Sequence, residues 1–328
     1  MTAPANPQTT RSSAPRRRWA SVTAAALTGV VVLGVAGGIA ITRSSTTSTV
    51  APATSAAASS AVSNPSTGCP TATADRTPAA PAPTRPPTGP TVVQFPHGTE
   101  PARPHLRALI EQVSAAPSDP PDCGRYAYLH VRQWAADTTI GPDGLGTTQT
   151  IEFDYRRWRA DDGSGRVITM RDEPAADPAT TTEDFPAGGL PGALSAPVNT
   201  DPGLLSSQIN DIQPWENGDQ AGIRATAEIY GWHTPNRDQR ATILAVLRDS
   251  ELIWRGTAVD RVGRAGVAVS FDSDNGVSRD LLILDPATGE PLAYELVTLR
   301  NPGKLTGPFP AVEDYQLFLD HHRQHQLT

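Results

Sequence analysis

Lysine is almost missing from this 328-residue chain: Lys304 stands alone against 26 arginines. The scarcity fits a high-GC coding bias, with Ala and Pro abundant, and points to no ligand. Cysteine is limited to Cys69 and Cys123. No H-E-x-x-H pair is present, and the nearest approach to G-x-S-x-G is Asp162-Gly163-Ser164-Gly165. That run is better explained as a turn whose glycines take positive φ. A basic footprint is missing too. The formal charge is −7, and residues 1–43 hold five Arg and no acid, which leaves 22 basic against 34 acidic residues beyond them, a net −12. Nucleic-acid binding needs the opposite balance.

One long uncharged stretch is present, WASVTAAALTGVVVLGVAGGIAIT, from Trp19 to Thr42, between Arg16, Arg17, Arg18 and Arg43. As a helix it is about 36 Å long, enough to cross a hydrocarbon layer of ~30 Å. Arginine is concentrated before it, which predicts a cytoplasmic N-terminus and an exported remainder. The rival reading is a cleaved leader, since Ala36-Gly37-Gly38 and Gly38-Ile39-Ala40 offer small residues at cleavage spacing; the apolar run is longer than leaders usually carry. Gly34 and Gly38 form a GxxxG pair, though small residues fill the whole span.

Four segments follow: a basic tail over 1–18, a transmembrane helix over 19–42, a linker over 43–100 and an exterior domain over 101–328. The linker is nearly all Ser, Thr, Ala and Pro. It holds too little apolar surface to offset the entropy of ordering, so it is expected to be a disordered spacer reaching ~40 Å. Cys69 and Cys123 would face an oxidising exterior on this topology, where a disulfide is one outcome and free thiols or an intermolecular bridge are the others.

In the exterior part, Leu106, Leu109, Ile110 and Val113 recur at helical spacing, and prolines at 117–121 end that helix. Alternation in GRYAYLHVRQWA and TTQTIEFDYRRWRAD predicts two strands, the second with Ile151, Phe153 and Tyr155 on one face. RVITMRDE is the next strand, and the Pro/Ala/Gly/Thr-rich residues 173–200 read as an excursion or lid. A helical block follows, its last member capped by Asn236 with Gln239 at the capping-box position. Strands then return, Val267, Val269 and Phe271 sharing a face, and a final strand or short helix runs from Val312 to about His322. The expected class is α+β, a curved antiparallel sheet with helices on one side.

YRRWRADDGSGR, NTDPGLLSSQI, RATILAVLRDSELI with TAVDRVGRAGVAVSF, and LLILDPATGEPLAYE together resemble an actinobacterial single-pass membrane family of unknown function. Its exterior domain is similar to the LolA/RseB-like half-barrel. The resemblance implies an open half-barrel with helices against its concave face, a shape that holds acyl chains or docks a partner. It implies no catalytic residues and no cofactor.

Three constellations have bland readings that outweigh sharper ones. His321, His322 and His325 could place imidazoles on one helical face beside Asp320, but a solvated terminal segment is the simpler account. Asp272-Ser273-Asp274-Asn275-Gly276 lacks the residue order of a calcium loop and reads as a hairpin turn. His130 and His233 read as structural histidines. If the sheet is curved, Tyr126, Tyr128, Phe153, Tyr155, Phe271 and Tyr294 are the aromatics available to line its hollow. The expected function is a membrane-anchored extracytoplasmic binding or sensing module for an apolar ligand, such as a lipid, or a membrane-protein partner, without catalysis. The alternative is a structural envelope protein in contact with cell-wall polymer.

Overall fold

The computed structural model describes residues 100–328, apart from 120–123, 143, 145, 173–176, 274, 302, 304–307 and 328. The apolar run at 19–42, the linker, Cys69 and Cys123 lie outside the described residues. Among those described, no helix is long and apolar enough to cross a membrane.

A two-residue strand, β1 (Glu100–Pro101), leads directly into α1 (Arg103–Ala115). An antiparallel meander follows: β2 (Tyr126–Ile140), β3 (Gly146–Ala160), β4 (Gly165–Asp172) and β5 (Ala179–Phe185). Three helices come next, α2 (Pro202–Ile212), α3 (Gln220–Trp232) and α4 (Arg237–Asp249), with a single 3-10 turn at Trp215–Asn217. A second meander closes the chain: β6 (Ile253–Val259), β7 (Ala265–Ser273), β8 (Ser278–Leu284), β9 (Pro291–Thr298) and β10 (Ala311–Gln324). The class is α+β, with ten antiparallel strands in one open sheet ordered β1-β6-β7-β8-β9-β10-β2-β3-β4-β5. The last strand joins the two meanders, pairing with β9 on one side and β2 on the other.

Strand alternation gives each face its own apolar cluster. Val269, Leu282, Leu284 and Tyr294 face the helices and pack with Leu106, Ile209, Ile223, Ile229, Leu244 and Leu247, all essentially inaccessible. The opposite face gathers Trp134, Leu281, Ile283, Ala293, Val312, Tyr315 and Leu317. The helices form as their sequence predicts. The Asn236 side chain accepts from the backbone N–H of Asp238 and Gln239, while Gln239 Oε1 accepts from Asn236 N at 2.9 Å, completing the capping box. Asp201 caps α2 by accepting from Leu204 N at 2.9 Å.

The structure departs from the sequence reading within residues 173–200, and at the C-terminus it takes the strand of the two expected alternatives. Within 173–200, residues 179–185 form β5, an exposed edge strand, and the loop after it buries Leu190, Leu194 and Val198. The C-terminal segment is a strand, so His321 and His322 project to opposite faces and share no helical face. His321 Nε2 lies 3.3 Å from Glu290, whereas the His322 ring packs on Tyr128 at 4.8 Å. The described residues contain no cluster of His, Cys, Asp or Glu suited to a metal ion.

Buried charges are tied across elements. The Arg224 guanidinium on α3 donates to both oxygens of Asp280 on β8 at 2.7 and 3.0 Å, and the Tyr294 hydroxyl donates to the same carboxylate at 2.8 Å. Arg240 on α4 meets Asp119 at 2.8 Å and Glu290 at 3.2 Å. Asp272 is held by Arg279 at 2.6 Å and by Arg255 at 3.3 Å, which leaves its carboxylate spoken for, and β7 pairs with β8 across the connection, Ser273 opposite Ser278. There Asn275 and Gly276 take φ of 56° and 77°.

Candidate functional site

Alternation along β3 continues past Ile151, Phe153 and Tyr155 to Arg157 and Arg159, so two arginines follow three apolar residues on the face that meets the helices. Beyond Ala160 the chain reverses. Asp162 Oδ1 accepts from Ser164 N at 2.9 Å and Ser164 Oγ at 2.6 Å, and Gly163 takes φ 72°, which a side chain would resist. The loop after β5 docks on this turn: Gly188 N donates to Asp162 O at 2.8 Å and Leu190 N to Gly163 O at 3.0 Å. Further on, the same loop is pinned by helical side chains. Gln208 Nε2 donates to Pro197 O at 2.9 Å, Gln239 Nε2 to Val198 O at 2.8 Å, and Thr242 Oγ1 to Thr200 O at 3.1 Å.

These contacts hold the loop around a cleft of about 910 Å³ between the 160–165 turn, the end of α2 and the end of α3. Leu190, Leu194, Ile212 and Trp232 give it apolar walls; Arg159, His233, Gln208 and Asp211 give it polar ones. His233 Nε2 accepts from Leu194 N at 3.3 Å, which places its proton on Nδ1. Burial, with Arg159 nearby, pulls that imidazole down to about 4, so it is neutral at physiological pH. A second cavity, of about 270 Å³, lies on the other side of His233 between Tyr230, Phe318, Glu290 and His321.

Arg157 lies behind the cleft wall and is itself buried. Its guanidinium carbon sits 4.4 Å from the Tyr155 ring centroid and 4.2 Å from that of Trp232, a cation held between two aromatic faces. Nη1 donates to Gly231 O at 2.6 Å in the last turn of α3, where the helix end carries partial negative charge. Arg159 Nη2 donates to the carbonyls of Leu190, at 3.3 Å, and Pro191.

The six aromatics singled out in the sequence divide between the two faces. Phe153, Tyr155, Phe271 and Tyr294 lie on the helix side, where Tyr294 is buried in the core and bonded to Asp280. Tyr126 and Tyr128 lie on the opposite face, with Tyr128 against Trp158 at 5.1 Å. Neither cavity is lined by any of the six. His130 is also on that opposite face, 2.8 Å from Asp154, whose other carboxylate oxygen lies 3.4 Å from Arg156. The cleft residues were missed because the 160–165 turn and the loop after β5 are irregular backbone, which periodicity does not register; the one available sign was an arginine pair continuing an apolar strand face.

No family model matches the chain, and no curated protein matches it. Among solved structures it is similar to one described as the complex structure of Pseudomonas aeruginosa MucA/MucB, at 15% identity and a TM-score of 0.25. The match covers 67% of this chain and 56% of that one, a weak resemblance of fold.

Proposed function

We propose that the chain is a membrane-anchored extracytoplasmic binding module, held by residues 19–42 with its N-terminus in the cytoplasm, whose cleft docks a segment of a membrane-protein partner. In this reading the sheet is an open half-barrel of the LolA/RseB kind, and the linker gives it reach from the bilayer. The observation that carries it is the packing of the helix face. Leu205, Ile209, Ile223, Ile229, Leu244 and Leu247 fill the space between sheet and helices, so an acyl chain has its room already taken there. The cleft is open, with mixed apolar and polar walls suited to a polypeptide segment. The reading includes no catalytic step.

The test is photocrosslinking in cells, with a benzophenone amino acid in place of Ser195 on the exposed cleft loop of the full-length chain. The expected product is a covalent adduct with a membrane protein. Adducts with extractable lipid alone, or none, would overturn docking. A mature N-terminus near residue 41 in the culture medium would overturn the anchor.

A further inference from the structure

Nearly every buried or half-buried arginine in the described residues has a carboxylate within salt-bridge distance: Arg224 has Asp280, Arg240 has Asp119 and Glu290, Arg255 and Arg279 share Asp272, Arg261 has Glu295, and Arg264 has Asp260. Arg157 and Arg159 break that pattern. Their hydrogen bonds go to main-chain carbonyls only, and the Nε of each is buried without an acceptor among the described residues. Burial lowers Arg157 only to about 10, so it remains a cation at neutral pH. Buried charge is ordinarily matched by opposite charge, because desolvation is otherwise uncompensated. Two adjacent cations left without an anion at the wall of an open cleft are the exception here.

The acids around the cleft do not fill the role. Asp161 is engaged by Arg323 at 2.9 Å, and Asp162 is held by Ser164 with Arg125 at 3.9 Å. Asp211 is exposed on the last turn of α2. His233, the remaining titratable group on the wall, is neutral.

We infer that the cleft is an anion-binding site, in which Arg159 receives a carboxylate or phosphate group of the bound partner and Arg157, stacked behind Trp232, adds its field. The Nη1 end of Arg159 holds the donors left for that anion, since Nη2 is bonded to the Leu190 and Pro191 carbonyls and Nε is buried. The neutral, Nδ1-protonated His233 leaves the charge at this wall to the arginines. The inference rests on the cleft being the docking surface, and it specifies what the docked segment presents there.

The experiment titrates the detergent-solubilised full-length chain with inorganic phosphate and, separately, with N-acetyl-alanyl-alanine, whose only charge is its C-terminal carboxylate. Tryptophan emission is read against chloride at matched ionic strength, with Trp232 beside the site as reporter. A saturable change is expected with at least one probe, weakened tenfold or more in Arg159→Gln. Saturation with phosphate alone identifies a phosphate group as the partner's anion, with the dipeptide alone a carboxylate, and with both the shared chemistry. Arg300→Gln is the control, since Arg300 is exposed and bonded only to the carbonyls of Asn275 and Gly276; it should leave binding unchanged.

Should Arg159→Gln fail to fold, Gly192→Ala serves instead. A Cβ there would stand 2.5 Å from Arg159 Nη2 and push the guanidinium aside while keeping its charge, so the same direction of loss is expected. No saturable response beyond chloride, or undiminished affinity in both variants, would overturn the inference. Anion binding without a crosslinked partner would refute docking alone, and a crosslinked partner without anion binding would refute only this inference.

Discussion

Asp314 is buried on β10, where its carboxylate receives only the Gln133 amide, at 3.2 and 3.3 Å. Burial pushes its pKa up to about 7 from 3.8, and the nearby charges of Asp280 and Glu313 push the same way. The folded state therefore holds this proton more tightly than the unfolded chain. Stability from this group is full below about pH 4, is lost as pH rises toward 7, and is level above that. Asp314→Asn should remove the slope and exceed the parent by on the order of 4 kcal/mol at pH 8 and by less at pH 5, measured by urea unfolding. The Arg224–Asp280–Tyr294 group behaves differently, because Asp280 is fully buried and doubly bonded by its arginine. Arg224→Leu would strand that carboxylate and cost about 3–5 kcal/mol, whereas Tyr294→Phe removes one hydrogen bond to a charged group and costs about 1.5–3 kcal/mol. None of this was visible in the residues alone. Tyr294 read as a candidate ligand contact because alternation names a face and not the partner waiting there.

Elements were read more securely than residues. Leu106, Leu109 and Val113 are buried on α1 as their spacing required, and Ile243, Leu244 and Leu247 are buried on α4. Local sequence is enough there, since the capping box and apolar stripe act within a few residues of each other. Asn236→Ala should cost about 1 kcal/mol by loss of the cap, measured by thermal unfolding. The β3–β4 hairpin is less forgiving: a Cβ on Gly165 would stand 1.9 Å from the Trp158 carbonyl oxygen. Gly165→Ala should destabilise by about 2–4 kcal/mol and also disturb the cleft, whose 160–165 turn it closes. The strand β5 escaped the sequence reading because ATTTEDF has no apolar alternation to detect, its residues being exposed nearly throughout. Glu183 and Asp184 charge this free edge, which discourages pairing with other chains. Glu183→Val should increase self-association, as seen by sedimentation velocity.

At the level of the whole sheet, the class and the approximate sequence of strands were legible, but the strand order was not. Periodicity shows that a segment is a strand and is silent on which other strand it joins. Tyr126 opposite Gln324, like Tyr315 opposite Trp134, is a pairing made across most of the domain. Removing residues 311–328 should therefore abolish the cooperative transition of the domain, read by circular dichroism and limited proteolysis, because β2 and β9 would each lose a neighbour.

The central place of the final strand also sets a timetable. A ribosome delivers β2 early and β10 last, so the nascent chain must carry two incomplete half-sheets, each with a margin of unsatisfied backbone groups, until residues near 324 emerge. Productive folding is then a race between that late arrival and capture of either margin by a stranger. Pausing, crowding or a stop codon only slightly upstream would hand the advantage to aggregation.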